Sequence, residues 1–394
     1  MSVVRYQTAV ADPRIGLYTA FAIGGILVAW QLAGAADAAG GGQARYILYA
    51  LPLICIALQC LLQRFVVPLD LSRAQAFGLY AVAAGTAVLT SRESNPFVVR
   101  DVLIIGTYLM MFAVSWTASV RDVFIVTLAC FACMAIEAIQ EGLHFSVDVL
   151  TSDGILESVM AFPLGVIVLY AIGTRRLGFA LLTALFFFAA YKRIALVAVV
   201  AVLAFEWVLA ILGLARYRRI IAVMLVITLS LTSLFSLQLF EYAAKMIGGE
   251  NVSANSISLG RFEFSVAIWR QIDAASVVKL LFGHGPGATD AIVQAAIDDA
   301  SNPHNDWLKI FVDYGLFGFV LFHLIIIRLF SDGFLSVWLY IYTAIVMMTD
   351  NTLIYTFHYA IVLVVVRAAA TGAAVGPSLS WWPTQKALSA HSMR

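Results

Sequence analysis

The chain has 394 residues, of which 62% are hydrophobic and 12% charged, with a net charge of +1. A soluble domain carries roughly 25% charged residues, so the composition excludes a water-soluble enzyme, and the near-neutral balance excludes nucleic acid as a main partner. Cys55, Cys60, Cys130 and Cys133 all sit in apolar runs, which reads as helix packing rather than a disulfide framework or a redox pair.

A membrane helix needs about 20 mostly apolar residues. In chain order such runs fall near Ile15–Leu32, Tyr46–Leu62, Ala74–Thr90, Val98–Trp116, Val123–Gln140 and Ile155–Ile172. They continue at Leu177–Ala190, Ile194–Leu214, Ile220–Leu237, Leu308–Phe330, Phe334–Met348 and Leu353–Ala370. The expected fold is therefore an all-α integral membrane protein of about twelve transmembrane helices, one polytopic domain over residues 1–394. The first run is followed by small residues, Ala33–Ala39, but a second span follows at once, so the first helix is expected to stay attached. Around Tyr191–Ile194 the sequence fits either two spans or one kinked segment.

Basic residues set the expected orientation. With the N-terminus inside, the cytoplasmic ends hold Arg5, Arg14, Arg64, Arg73, Arg121, Arg175, Arg176, Arg216, Arg218, Arg219, Arg328 and Arg367. The polar segment 240–305 then forms a long, partly helical periplasmic loop before the last three spans. The turn at Lys192–Arg193 also faces outward, against the orientation rule. These two cations either snorkel to lipid phosphates or form an anion site, for which the planar fork of an arginine is suited.

The loop contains three readable pieces. Gly260–Ile272 has Phe262, Val266, Trp269 and Ile272 at helical spacing, with Arg261 at its start as a lipid-facing cation or a ligand. Gly283–His284–Gly285–Pro286–Gly287 permits a tight turn and close backbone approach, and Thr289–Ala300 reads as a short helix. The next span opens at Asn302–Pro303–His304–Asn305–Asp306–Trp307, with Asn302 as cap and Pro303 at the first helical position. His304 would then lie in the first turn, where the helix dipole favours a neutral imidazole. Such a histidine is either a capping or interface residue or a general base.

Glu137, Glu206, Asp313 and His323 lie in or near spans, where charges usually face the protein interior. Asp350, Asn351, Tyr355 and His358 gather at the outer end of the last span and read as helix-to-helix hydrogen bonding or a cleft lining. No zinc-ligand spacing occurs in the sequence.

Three places resemble the O-antigen ligase and polysaccharide polymerase family of bacterial membrane glycosyltransferases. They are Lys192–Arg193–Ile194–Ala195–Leu196, then Gly260–Arg261 with Trp269, and then Gly283–His284–Gly285 with Pro303–His304–Asn305–Asp306–Trp307–Leu308 and Tyr314–Gly315–Leu316–Phe317–Gly318. Lys192 stands where the family often has serine. The resemblance implies a C-type glycosyltransferase of the bacterial inner membrane, needing no metal or cofactor. Its donor would be a polyprenyl-diphosphate-linked glycan and its acceptor a glycan or lipid, with its site facing the periplasm. Membrane lipids and other polysaccharide assembly proteins are the further partners it implies. Arg193 and Arg261, with Lys192, would bind the diphosphate, and His304 would orient or deprotonate the acceptor hydroxyl. Arg270, Lys279, Asn305 and Asp350 are secondary candidates for the same site. Polymerase and ligase differ in acceptor and are not separated by the sequence. The competing reading is a transporter or flippase of lipid-linked glycans, which calls for related halves with discontinuous helices; no matching half-repeat is evident.

Overall fold

A computed structural model describes residues 13–37, 45–63, 69–91, 97–141, 158–247, 261–296, 304–330 and 333–372. Among these, the regular structure is helical apart from an isolated bridge between Leu69 and Val114. The first nine helices are α1 (Pro13–Asp37), α2 (Arg45–Leu62), α3 (Leu71–Thr90), α4 (Val98–Ala113), α5 (Val120–Glu141), α6 (Ala161–Gly173), α7 (Leu177–Ala190), α8 (Arg193–Ile211) and α9 (Arg218–Leu234). Four shorter ones follow: α10 (Ser236–Ile247), α11 (Arg261–Asp273), α12 (Val277–Phe282) and α13 (Ala288–Ala296). The chain closes with α14 (Asp306–Leu329), α15 (Gly333–Val346) and α16 (Thr356–Gly372).

Each apolar run named above is mainly helical where it is described, as lipid requires of a backbone that must satisfy its own polar groups. Among the described residues, five helical stretches are long and apolar enough to cross a membrane: Arg14–Gly34, Val120–Gln140, Arg193–Ile211, Ala215–Leu234 and Asp306–Leu329. Five further apolar helices are shorter. The chain is thus an all-α, multi-pass membrane protein. Its outward faces are greasy: α7 buries Ala180, Thr183, Phe187 and Ala190 but exposes Leu181, Leu185 and Phe188.

Tyr191, in the left-handed region at φ 36°, ends α7, and Lys192 stands as the residue before α8. The run is therefore two helices. α14 is the centre of the bundle; it packs along α3 and also meets α9, α12 and α13. α1 lies against α5, α6 against α7, and α15 against α8 and α9.

Side-chain bonds tie the helix ends into two groups. At one end, Arg73 reaches the carbonyl of Leu329 (3.4 Å) and pairs with Asp70. Arg367 bridges Asp70 and the carbonyls of Phe112 and Val114, and Thr371 donates to the carbonyl of Ala118. The start of α3 and α5 and the end of α4, α14 and α16 therefore share this end. At the other end, Ser233 of α9 bonds Asn305 before α14 (2.9 Å). Several expectations fall on undescribed residues: Arg5, Arg64, Gly260, Asn302, Pro303 and the end of the Thr289–Ala300 segment.

Candidate active site

The glycine turn finds its partner inside the membrane helix. Gly315 breaks α14 with φ 67° and ψ −174°. A helical carbonyl accepts from the amide four residues on, so a break at Gly315 leaves carbonyls just before it open. His284 N–H donates to the carbonyl of Val312 (2.9 Å) and Gly285 N–H to that of Asp313 (3.0 Å). Gly283 lies so close that a Cβ there would overlap the Asp313 carbonyl, and one on Gly315 would meet Gly283 and Leu281 at 2.5 Å. Both glycines have positive φ. The turn and the kink are two halves of one joint, and no larger residue fits either half.

A buried charge cluster locks the joint. Lys309 Nζ lies 2.6 Å from Asp101, 2.8 Å from Asp313 and 3.1 Å from Asp290. Arg100 pairs with Asp101 at 2.8 Å and with Asp290. Asp313 also accepts from the amides of Gly287 (3.0 Å) and Thr289 (2.8 Å) and from the Thr289 hydroxyl (2.6 Å), capping α13 from a distance. Three carboxylates face two cations. Burial, with repulsion from Asp101 and Asp313, pushes the Asp290 carboxyl up to about 6, against the pull of Lys309 and Arg100. Lys309 and Asp313, four apart in an apolar helix, are the signal in the sequence from which this cluster is readable.

His304 lies just ahead of α14, eleven residues before the kink at Gly315. Asn305 is the cap of α14, accepting from Leu308 N–H at 3.0 Å, and the helix begins at Asp306. This corrects the expectation that Asn302 caps the helix and that His304 lies in its first turn. The reason is geometric: His304 has φ 51°, which no right-handed helix admits. Its N–H donates instead to Asn351 Oδ1 (2.9 Å). Asn305 is fully engaged as well, since its Nδ2 donates to the Ser233 carbonyl (3.1 Å) while Ser233 Oγ donates to its Oδ1. Its side chain thus ties the start of α14 to the end of α9.

The His304 ring is 37% exposed, stacks on Phe264 at 6.0 Å, and has Nδ1 3.9 Å from Asp350 Oδ1. Asp350 is nearly buried; it accepts from Asn351 N–H (2.8 Å) and from the Tyr355 hydroxyl (3.5 Å). Burial lowers the His304 pKa below its usual 6.5; Asp350 opposes this, while the charges of Arg261 and Lys192 add to it. Four candidates drawn from distant sequence, Lys192, Arg261, His304 and Asp350, therefore feel one another at one end of the bundle.

The remaining candidates are placed as follows. Arg193 is half-buried at the first position of α8, adjoining Lys192. Arg261 opens α11, whose Ser265 reaches back to its carbonyl (3.2 Å) and toward Ser236 of α10 (3.4 Å). α11 buries Ser265, Ile268 and Ile272, whereas Phe262, Val266 and Trp269 are half-buried. The packed stripe thus shares Ile272 with the expected one and otherwise lies beside it, and Trp269 stacks on Phe235. Arg270 is exposed and nine residues past Arg261, about half a turn of rotation away at 3.6 residues per turn. Lys279 sits in α12, its amide capped by Ser276.

Residues 178–323, a little over a third of the chain, match the family model described as O-antigen ligase. No curated protein and no solved structure matches the chain. The matched stretch runs from α7 to the middle of α14 and so takes in Lys192, Arg193, Arg261, His304, the glycine turn and its kink. Over these residues the chain is similar to the O-antigen ligase family, and the match supports a membrane protein of the ligase or polymerase type.

Proposed function

We propose that this protein transfers or polymerises glycan units carried on a polyprenyl diphosphate, at the periplasmic face of the inner membrane, without a metal. The observation that carries the proposal is the convergence of a neutral-leaning His304 with Asp350, Arg261 and Lys192. Arg261, Lys192 and the adjoining Arg193 hold the diphosphate; Arg270 and Lys279 are more distant cations in the same field. His304 takes the proton of the acceptor hydroxyl as its oxygen attacks the anomeric carbon. The bond from that carbon to the diphosphate oxygen breaks, and the carrier diphosphate leaves with the electron pair, stabilised by the arginines. The proton then passes from the imidazolium to water. Asp350, facing Nδ1, favours the tautomer with Nδ1 protonated and Nε2 open as the base.

On this reading the chain is one polytopic domain of about twelve spans, and residues 240–305 are a periplasmic loop over the site. The basic residues gathered at the Arg73 end support that orientation. Acceptors are a growing glycan for a polymerase and a lipid for a ligase, and other polysaccharide assembly proteins are its partners. The test is the glycan profile of a strain carrying His304→Ala at normal protein level. Loss of chains beyond single repeat units indicates a polymerase. Long chains retained on the carrier indicate a ligase. An unchanged profile refutes the proposal.

A further inference from the structure

A groove of about 680 Å³ opens between the first turns of α5 and α7. It lies far from His304: α5 begins beside Ala118, which Thr371 ties to the Arg73 end, whereas the far end of α7, at Ala190, is the one next to Lys192. Its walls are apolar, formed by Phe124, Phe179, Leu177 and Leu182, with the two rings 6.0 Å apart. Its rim carries two cations from different helices, Arg121 and Arg176. Arg176 is exposed and has no ion pair among the described residues. Arg121 is 59% exposed and only 3.6 Å from Asp122, a buried carboxylate whose other oxygen accepts from Ser119 N–H (2.7 Å) and Oγ (2.9 Å). No acidic residue stands in the first turn of α7. The rim is therefore net positive above a cleft with apolar walls, which suit an acyl chain.

We propose that this groove is a binding site for an anionic phospholipid of the leaflet at that end, its phosphate held between Arg121 and Arg176 and a chain laid between α5 and α7. Arginines that merely snorkel would meet any headgroup at the membrane edge. Two that converge from separate helices over a shared cleft favour a negative headgroup over a zwitterionic one.

The test uses the full-length protein, delipidated in detergent and titrated with phosphatidylglycerol or phosphatidylcholine, with bound lipid counted by native mass spectrometry. The wild type should take up phosphatidylglycerol in preference. Arg121→Gln with Arg176→Gln should lower that affinity about 30-fold, near fivefold for each arginine at a membrane surface. Arg216→Gln with Arg219→Gln, exposed cations elsewhere, should leave it unchanged. Gly178→Trp fills open space in the groove and should displace the lipid with both arginines intact, so that a poorly folding arginine variant does not decide the matter. Equal loss in the control pair, wild-type binding in both groove variants, or displacement of the lipid by inorganic phosphate at equal concentration would each overturn the site. None of these readouts depends on glycan transfer.

Discussion

His304 is subject to opposing fields. Asp350 favours its protonation, while burial, Arg261 and Lys192 disfavour it. As a base it must be neutral, so activity should fall with pH as His304 gains a proton, along an acid limb lying below 6.5. Asp350→Asn removes the interaction that raises the pKa, so the limb should shift to lower pH. Arg261→Gln removes one that lowers it, so the limb should shift up, alongside weaker donor binding. A profile of kcat/KM against pH reads both shifts, and identical limbs in the two variants would exclude His304 as the titrating group. His304→Ala should cost roughly 10²–10⁴-fold in rate at unchanged abundance, and Arg193→Lys should transfer poorly because an ammonium lacks the bidentate fork. At this scale the sequence was informative where charge broke a rule. Lys192, Arg193 and Arg261 stand among apolar neighbours on the side expected to be poor in cations. The role of Asn305 was hidden, because Asn302 and Pro303 offered an equally plausible helix start three residues earlier and the positive φ of His304 leaves no trace in residue type.

The second scale is that of the loop and the helix it clasps. α13 is held to α4 and α14 through Asp101, Asp290 and Asp313 with Arg100 and Lys309, a cluster with one more carboxylate than cations. Lys309→Met would leave Asp101, Asp290 and Asp313 with Arg100 as the cation of the cluster, and removing one partner of a buried pair costs about 3–5 kcal/mol; a lower unfolding temperature in detergent checks it. Asp290→Asn in that background should recover part of the loss, since it removes one of the three negative charges. Asp290 itself binds its proton more tightly in the folded state than in the unfolded chain. Its ionisation therefore opposes folding above pH about 6, and stability gained as pH drops from about 6 toward 3.8 should disappear in Asp290→Asn. Gly283→Ala and Gly315→Ala should each destabilise by roughly 1–3 kcal/mol, from positive φ alone, and should expose the loop to protease. The helical spacing of residues 261–272 and the turn at 283–287 were legible in the sequence. The partner of that turn was not, because a contact between Gly283 and Gly315 leaves no periodic signature.

For the molecule as a whole, orientation is the property that the remaining expectations share. Arg270→Cys should react with a membrane-impermeant maleimide added to intact cells, and Arg219→Cys should react only after permeabilisation; both positions are exposed. The reverse pattern would move the candidate site to the cytoplasm. The all-α membrane class followed from composition alone, whereas which helix becomes the centre depended on small residues and buried pairs spread over the chain. The kink in α14 also bears on the order of assembly. Ribosomal synthesis runs from the N-terminus, so residues 283–287 leave the ribosome before Gly315 does. The donors that complete the broken helix are thus made before the acceptors that need them. The kinked form of α14 therefore depends on a segment synthesised ahead of it: without residues 283–287 in place, the carbonyls of Val312 and Asp313 lose the donors that the kink requires, and a bare carbonyl in lipid costs several kcal/mol.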